Sequence, residues 1–221
     1  MVVVIFGILA AIVLLSMTRT RSAGHRTTCN NKLKQMGLVL KMYANESPRE
    51  VWPPLSSTRS KMMMDAGEIY PEYLRDGTML LCVEDDALRP LKKEEDPNLL
   101  IDDHSFFYLG YVLTNEQEGL AFLDMYRSDF QAMGGFVEDI SAPEGLGSRG
   151  GSAFLRLRED LDVEQKVVAV MVEDPGHHEK PGGCVLYMDG HVEFVEYPGK
   201  FPMTPAFIEA LRDAAGKGAS D

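Results

Sequence analysis

The chain opens on an apolar segment that contains neither a charged residue nor a proline. Residues 1–17 read MVVVIFGILAAIVLLSM. As a helix this segment spans roughly 26 Å, a little less than the length that about 20 residues provide for crossing the apolar core of a bilayer. Because the segment is apolar on all sides, lipid or a bundle of like helices must cover it. We therefore predict that Met1–Met17 forms a membrane-spanning helix.

A one-sided apolar pattern follows this segment, and the first proline of the chain is Pro48. The apolar positions, at spacings of 4, 3, 4 and 3 residues, are Cys29, Leu33, Met36, Leu40 and Tyr43. Such spacing places side chains on one face of a helix. We predict one helix of about 45 residues, whose front half leaves the globular part and whose rear half packs against it. No charge precedes Arg19, which argues against a removable secretory signal. An ordinary membrane anchor with a helical stalk is the alternative interpretation.

Shorter elements are predicted for the next part of the chain from its turn signals and its β-branched and aromatic content. We expect one or two short helices in residues 57–75, a strand at 78–83, an acidic surface loop at 84–98, and an extended aromatic-rich segment at 105–113.

Two further helices have recognisable start signals. Thr114 and Gln117 have the spacing of a capping box, so a helix should begin at Thr114 and run to about Met133. The pair Thr204-Pro205 predicts the start of a last helix, which should end near Gly216.

A segment with six glycines lies between these helices, at residues 134–151, and we expect it to be a mobile loop. Its sequence GLGSRGG is not a phosphate-binding loop, because no Gly-Lys-Ser/Thr follows a strand. It is not a nucleophile elbow either, because Leu146 occupies the place of the first glycine around Ser148.

The clearest local pattern is a β-hairpin near the C-terminus. Residues 166–173, KVVAVMVE, indicate a buried strand, and two more apolar runs flank Asp189-Gly190. Asp-Gly between such runs predicts a two-residue type I′ turn. That turn sets the pairs Met188–His191, Tyr187–Val192, Leu186–Glu193 and Val185–Phe194. The apolar face is then expected to lie on the long helix, and it consists of Val185, Tyr187, Val192 and Phe194.

Charge divides the chain into two parts. The residues before Glu46 include six of the 22 basic residues and no acidic one, which leaves 16 basic and 34 acidic residues, a net charge of −18, for the remainder. An acidic head is a poor partner for nucleic acid, whose binding needs a basic patch. The asymmetry suits the stacking of acidic heads around basic stems or a stem near anionic lipid, and plain solubility is the alternative. We predict a stem at 1–47 and a globular head at 48–221, of a size typical of one domain.

The three cysteines allow at most one internal disulfide. Cys29 lies on the helix stripe, Cys82 in an apolar run, and Cys184 at the start of a predicted strand. A Cys29–Cys82 bridge would suit an oxidising compartment. The alternative is that all three are buried free thiols.

Residues 1–4 read MVVV and residues 7–12 read GILAAI. These blocks resemble the N-terminal helix of bacterial type IV prepilins and of the pseudopilins of type II secretion, in which Phe-Thr-Leu-Ile-Glu-Val-Met-Val-Val-Val precedes an apolar run. The family's acidic residue has no counterpart here, and position 5 is Ile5. We expect that the leader and some six residues are missing because the start codon was assigned too late; a genuinely shortened protein is the alternative.

Two further blocks extend the resemblance. Residues 29–40 read CNNKLKQMGLVL, and residues 182–192 read GGCVLYMDGHV after His178. Both are similar to blocks of a bacterial pilin-like group whose C-terminal motif is His-x9-Asp-Gly. In this chain ten residues, not nine, separate His178 from Asp189.

The resemblance implies an α+β fold in which a long N-terminal helix packs on an antiparallel sheet. It also implies a structural subunit of a type IV pilus-like filament or a type II secretion pseudopilus, held in the bacterial inner membrane before assembly. The implied partners are copies of the chain and related pilin-like subunits, the lipid membrane and a prepilin peptidase. The basic residues after Arg19 would by the positive-inside rule place the head in the cytoplasm. The resemblance places it outside, in the periplasm or on a surface filament, and we follow the resemblance.

The rival function is a membrane-anchored envelope protein with an enzymatic or ligand-binding head. No nucleophile, phosphate or redox motif supports catalysis, so we predict no catalytic, cofactor or metal site. Two groups of residues are the alternatives to that expectation. His177, His178, Asp189 and His191 could bind zinc if the hairpin brought them together. The alternative is that Asp189 makes the turn, His191 packs on the sheet and the other two histidines are solvated. Residues 84–86, Glu-Asp-Asp, offer oxygen ligands for calcium but lack the spacing of a calcium loop.

Overall fold

The computed structural model describes residues 2–83, 101–131, 133–178 and 180–217, with side chains described from residue 24 onward. The fold is α+β, with a long N-terminal helix and an antiparallel sheet, as the sequence predicts. The predicted acidic loop at 84–98, and with it the calcium ligands considered at 84–86, lies outside the described residues.

Helix α1 (Val2–Glu46) is continuous for 45 residues. Its predicted stripe is buried at Cys29, Leu33, Met36 and Leu40, and Tyr43 is half-buried, with Ala44 in the last buried position. The helix ends just before Pro48, since a residue that precedes proline avoids the helical conformation. The prediction of one long helix whose rear half packs on the head is confirmed.

In the part of the chain whose side chains are described, no helix combines the length and the apolar character that crossing a bilayer requires. The predicted membrane span at Met1–Met17 lies outside those side chains.

The main sheet has four antiparallel strands in the order β1-β4-β5-β6. They are β1 (Phe106–Tyr108), β4 (Ala169–Glu173), β5 (Gly182–Tyr187) and β6 (Val192–Glu196). A separate two-stranded sheet joins β2 (Ile140–Ser141) to β3 (Ala153–Phe154). The segment 134–151, which was predicted to be a loop, therefore contributes a short strand.

The strands at 166–173 and 105–113 are confirmed in shortened form, but the strand predicted at 78–83 is wrong. That segment begins with a 3₁₀ turn, Gly77–Leu80, because the Asp76 carboxylate accepts a hydrogen bond from the Thr78 N–H at 2.9 Å. Such an Asx contact favours a turn over an extended strand.

The hairpin β5–β6 forms as predicted, but in a different register. Observed pairs include Cys184–Phe194, Val185–Glu193 and Leu186–Val192, one residue away from the prediction. Because neighbouring residues of a strand point to opposite faces, this shift turns Val185 and Tyr187 away from α1 and directs Cys184 and Leu186 toward it. Val192 and Phe194 keep the predicted face.

The shift in register is caused by the turn between β5 and β6. It has three residues, Met188 to Gly190, in which Gly190 has a φ of +90° and Asp189 has no positive φ. A type I′ turn needs positive φ at both central residues, so the observed loop belongs to the three-residue kind that ends on a left-handed glycine.

Helix α1 runs alongside β5 toward this turn. Near its start, the Cys184 thiol donates to the Arg26 carbonyl, with 3.8 Å between sulfur and oxygen. Farther along, Leu186 packs at Gly37, and Lys41 approaches Gly190. Helix α1 therefore contacts β5 and the turn after it over about four helical turns, from Arg26 to Lys41.

The opposite face of the sheet is covered by the C-terminal part of the chain. Helix α4 (Pro205–Ala214) begins after its N-cap Thr204, as predicted. Met203 packs at Gly183, and the Lys217 ammonium lies 4.6 Å from the centre of the Phe107 ring. The sheet thus lies between α1 and the α4 region.

Two helices complete the head. Helix α2 is Ala66–Ile69, inside the segment predicted to contain short helices, and α3 is Glu116–Ser128. Helix α3 begins later than predicted because Asn115, not Thr114, is its N-cap. Thr114 instead donates from its N–H and its hydroxyl to Glu118, at 2.7 and 2.9 Å. The helix also ends at Ser128, not near Met133.

Candidate functional site

The histidines and the aspartate considered for zinc do not come together. His178 precedes β5, whereas Asp189 and His191 follow it, and a six-residue strand separates the two ends by about 17 Å. Asp189 accepts a hydrogen bond from the His191 N–H at 3.0 Å, and the His191 ring stacks on Tyr187 with 4.4 Å between centres. Asp189 therefore stabilises the turn, as the alternative to a zinc site predicts.

His178 is not solvated, however. Its side chain is fully buried, with Nε2 3.0 Å from Glu173 Oε1, and the side chain of Glu173 is fully buried as well. A buried imidazole and carboxylate in contact form a polar pair inside the apolar core.

Two cysteines complete a cluster around this pair. Cys29, Cys82, Glu173 and His178 are all buried, and one ligand atom from each lies within 4.8 Å of the others. Among the described residues, no other group of three or more potential metal-binding side chains has its ligand atoms this close together. We call these four residues the stem–head cluster, because one of them lies on α1 and the other three belong to the head.

The sheet determines the position of Glu173. Glu173 is the last residue of β4, pairs with Phe106 of β1, and lies on the face that α1 covers. Its Oε2 accepts a hydrogen bond from the backbone N–H of Cys184 at 2.8 Å. That contact fixes the carboxylate and leaves Oε1 directed at His178.

A tight turn after β4 returns the chain to place His178 beside Glu173. The Asp174 carboxylate accepts from the Gly176 N–H at 3.0 Å and is paired with Arg212 of α4. Arg212 therefore supports the turn from the other side of the sheet, in a contact that is a charge-assisted hydrogen bond.

Lys32 of α1 holds the segment that contains Cys82. Lys32 Nζ donates to the carbonyls of Thr78 and Leu81, at 2.9 and 2.8 Å. Lys32 lies three residues after Cys29, so it is on the same side of the helix. The Cys82 N–H donates to Ser105 Oγ at 2.9 Å, which attaches the segment to the chain just before β1.

Electrostatics act in opposite directions on Glu173 and on the nearby Cys184 thiol. Burial by itself would raise the pKa of Glu173, but the hydrogen bond and charge of His178, with the Cys184 N–H and the Cys82 thiol, hold it below its ordinary value. Burial and the nearby Glu173 charge raise the pKa of the Cys184 thiol. The cluster thus holds an ionised carboxylate in the core, and since an ionised carboxylate only accepts hydrogen bonds, His178 Nε2 carries the proton.

All three cysteines are buried thiols, as the alternative to the disulfide predicts. The sequence nevertheless identified the correct neighbours, because Cys29 Sγ and Cys82 Sγ lie 3.0 Å apart. Glu173 carried no such signal: no motif in the sequence marks it, and only the register of β4 against β5 brings it to the cysteines.

The arrangement favours binding or structural support over turnover, because the side chains of Glu173 and His178 have no exposed surface for a substrate to reach. Sulfur, imidazole and carboxylate are the ligand types of a transition metal.

No protein-family model matches the chain, nor does any curated protein or solved structure.

Proposed function

We propose that the chain is a structural subunit of a type IV pilus-like filament or a type II secretion pseudopilus. Its N-terminal helix would hold it in the bacterial inner membrane before assembly, with the head in the periplasm or on the surface filament. Within the filament, contacts between helices of neighbouring copies replace contacts with lipid.

The observation that carries the proposal is helix α1. It runs unbroken from Val2 to Glu46, which corresponds to about 65–70 Å, and its residues from Cys29 onward pack on the sheet along a single stripe. Residues 2–17 of the apolar segment belong to the same helix. A rigid rod that is apolar at one end and carries a head at the other is what a helical filament core requires.

The outer face of α1 adds a second argument. Leu38 and Met42 are one turn apart, and 66% and 53% of their surface is exposed. Two large apolar side chains that adjoin on the exposed face of a helix suit contact with a neighbouring helix. We assign this surface to the helix of a second copy, since the same helix supplies the filament core.

Charge supports the same packing. The stem is basic and the head carries the acidic excess, so neighbouring copies attract each other when the head of one lies beside the stem of the next. This attraction weakens with salt, because exposed charges are screened.

The experiment is electron microscopy of the bacterium that encodes the chain, with gold-labelled antibody against the head. We expect labelled filaments, their loss in Ala10→Asp, and their retention in the matched variant Ala10→Val.

Leu38→Asp should shorten or abolish filaments, whereas Lys34→Asp, at an exposed position on the same helix, should leave them intact. Upstream codons that encode a leader ending in Gly, followed by an aromatic or Met and then Glu, would strengthen the expectation.

Two results contradict the proposal. One is that the unmodified chain is recovered without detergent as a water-soluble monomer. The other is that the chain stays in the membrane, forms no filament, and tolerates Ala10→Asp with its distribution unchanged, as the rival envelope protein would.

A further inference from the structure

We propose that Cys29, Cys82, Glu173 and His178 bind one Zn²⁺ ion, which fastens the stem helix to the head. The proposal concerns the chain before any assembly, and it does not depend on filament formation.

The ligand types select the metal. Two sulfur ligands favour a transition metal over calcium or magnesium, which prefer oxygen, and an imidazole with a carboxylate completes a four-ligand set of the kind that zinc accepts. The four ligands come from separate parts of the chain: α1, the segment after the 3₁₀ turn, the end of β4, and the following turn. Only the tertiary fold brings them together.

The distances fit a tetrahedral ion. Zinc–ligand bonds of about 2.0–2.3 Å place ligand atoms about 3.3–3.8 Å from one another. The two sulfur atoms are 3.0 Å apart, Glu173 Oε1 and His178 Nε2 are 3.0 Å apart, and all four ligand atoms lie within 4.8 Å. An ion at the centre therefore requires displacements of less than about 1 Å, which side-chain rotation supplies.

Zinc binding displaces protons from three of the ligands. The thiols of Cys29 and Cys82 and the Nε2 of a doubly protonated His178 each release one proton to solvent, His178 keeps its other proton on Nδ1, and four bonds form to the ion. The two thiolates, the Glu173 carboxylate, the neutral imidazole and Zn²⁺ then have a net charge of −1. Binding therefore strengthens as pH rises through the range in which these groups lose their protons.

A positive charge contacts the same aromatic ring as the stem–head cluster. The Arg26 guanidinium is 5.0 Å from the centre of the Phe194 ring, and the His178 ring packs against the same ring with 5.9 Å between centres. Arg26 Nε is buried and has no hydrogen-bond acceptor among the described residues. A zinc complex with a net negative charge, on the other contact of the Phe194 ring, would partly offset the charge of this guanidinium.

The second contact of Glu173 prepares the carboxylate for a metal. Its Oε2 keeps the hydrogen bond from the Cys184 N–H while Oε1 turns to the ion. Hydrogen bonds of this kind orient metal ligands and raise affinity.

A disulfide would use only Cys29 and Cys82, and it would leave Glu173 and His178 to pair with each other. Zinc uses all four buried groups and holds both sulfurs as thiolates bound to metal, which protects them from oxidation to a disulfide. The two alternatives differ in a measurable way, because the disulfide form is lighter by two hydrogens and contains no metal.

The test uses the full chain, purified in detergent under anaerobic conditions and without chelator from cells grown with added zinc. We expect about one zinc per chain by elemental analysis. After removal of zinc, Co²⁺ added alone should give the intense visible absorption of tetrahedral cobalt bound to sulfur.

Matched variants locate the ion. Cys29→Ser, Cys82→Ser and His178→Ala should each weaken Co²⁺ binding by at least about 10–100-fold, the loss that even outer-shell changes produce. Cys184→Ser is the control: it removes the third buried thiol, whose S–H is directed at the Arg26 carbonyl, and it keeps the backbone N–H that holds Glu173 Oε2, so it should leave the zinc stoichiometry unchanged.

Three results would overturn the proposal: an anaerobically purified wild-type chain without metal that also fails to bind Co²⁺, a Cys29–Cys82 disulfide in that same sample, or loss of metal from Cys184→Ser equal to that from Cys29→Ser. The wild-type cobalt spectrum decides the matter even where a ligand variant does not fold. Each of these results leaves filament assembly untouched, so the two proposals fail independently.

Discussion

The two ends of β5 each carry a histidine paired with a carboxylate, and they differ in burial. At one end, His178 and Glu173 are 3.0 Å apart with neither side chain exposed. At the turn end, His191 and Asp189 are 2.6 Å apart with 42% and 37% of their side chains exposed. The same chemical pair is therefore an internal structural element in one place and a local turn contact in the other.

This difference shows that the nitrogen–oxygen distance alone does not determine how much an ion pair contributes to stability. Exposed pairs contribute about 0–1 kcal/mol, because water already solvates both groups. A buried pair can contribute little net stability as a whole, yet losing one partner is costly, since the other is left in the core without compensation. Four expected outcomes test this comparison, each measured on the full chain in detergent through the fluorescence of Trp52, the single and fully buried tryptophan.

The largest effect is expected for Glu173→Gln. With a chelator present, so that no metal enters the comparison, this change should lower the free energy of unfolding by about 3–5 kcal/mol, because His178 loses its buried counter-charge. Urea unfolding measures the loss. Asp189→Asn is the matched control and should cost less than about 1 kcal/mol. Equal losses at both ends would refute the comparison.

Replacing a glycine should also cost more stability at the buried end of β5 than at the turn end. Gly182 has a φ of +148°, and an added Cβ would lie 2.6 Å from the Val195 carbonyl oxygen. Gly182→Ala should cost about 2–5 kcal/mol, from backbone strain and overpacking together. Gly190 has a φ of +90° and open surroundings, so Gly190→Ala should cost only the strain, about 1–2 kcal/mol. A larger urea-midpoint shift for Gly190→Ala than for Gly182→Ala would contradict this account.

Acid should weaken the protein through the same carboxylates. The hydrogen bond and charge of His178 outweigh burial and keep the pKa of Glu173 below its value in the unfolded chain. Glu173 therefore stabilises the fold above the unfolded value of about 4.3, and this contribution is lost as pH falls through the folded pKa. Urea midpoints measured from about pH 7 down to about pH 3 should decline less in Glu173→Gln than in the wild type. A wild-type midpoint that does not change with acid would refute the assignment.

The smallest effect is expected at His191. Its ring stacks on Tyr187 at the surface, with ring planes 5° apart, so His191→Gln should cost less than about 1 kcal/mol. His178→Gln is the comparison variant and should cost several times more. Thermal unfolding of the two variants side by side gives the ratio directly.

Much of the fold could be predicted because its signals are local. The stripe of α1, the start of α4 at Thr204, and the existence of the β5–β6 hairpin all follow from spacing and capping. The register of the hairpin did not follow, because Asp-Gly is compatible with two loops. The choice between them depends on whether Asp189 adopts a positive φ.

The stem–head cluster could be predicted only in pieces. The sequence indicates Cys29 and Cys82 as neighbours, and the structure places their sulfur atoms 3.0 Å apart. His178 was considered for zinc only together with His177, Asp189 and His191, and no metal site was predicted there. Glu173 is one of 34 acidic residues, and nothing near it in the sequence marks it. Its place depends on strand register and on the turn held by Asp174 and Arg212, which are contacts between residues far apart in the chain.

The direction of α1 relative to β5 has a mechanical consequence. Tension applied along the stem pulls α1 lengthwise across the face of the sheet that it covers, so the buried side chains from Cys29 to Leu40 are loaded largely in shear and must give way together. A helix crossing the strands at a steep angle would instead peel off one turn at a time, at a lower pulling force.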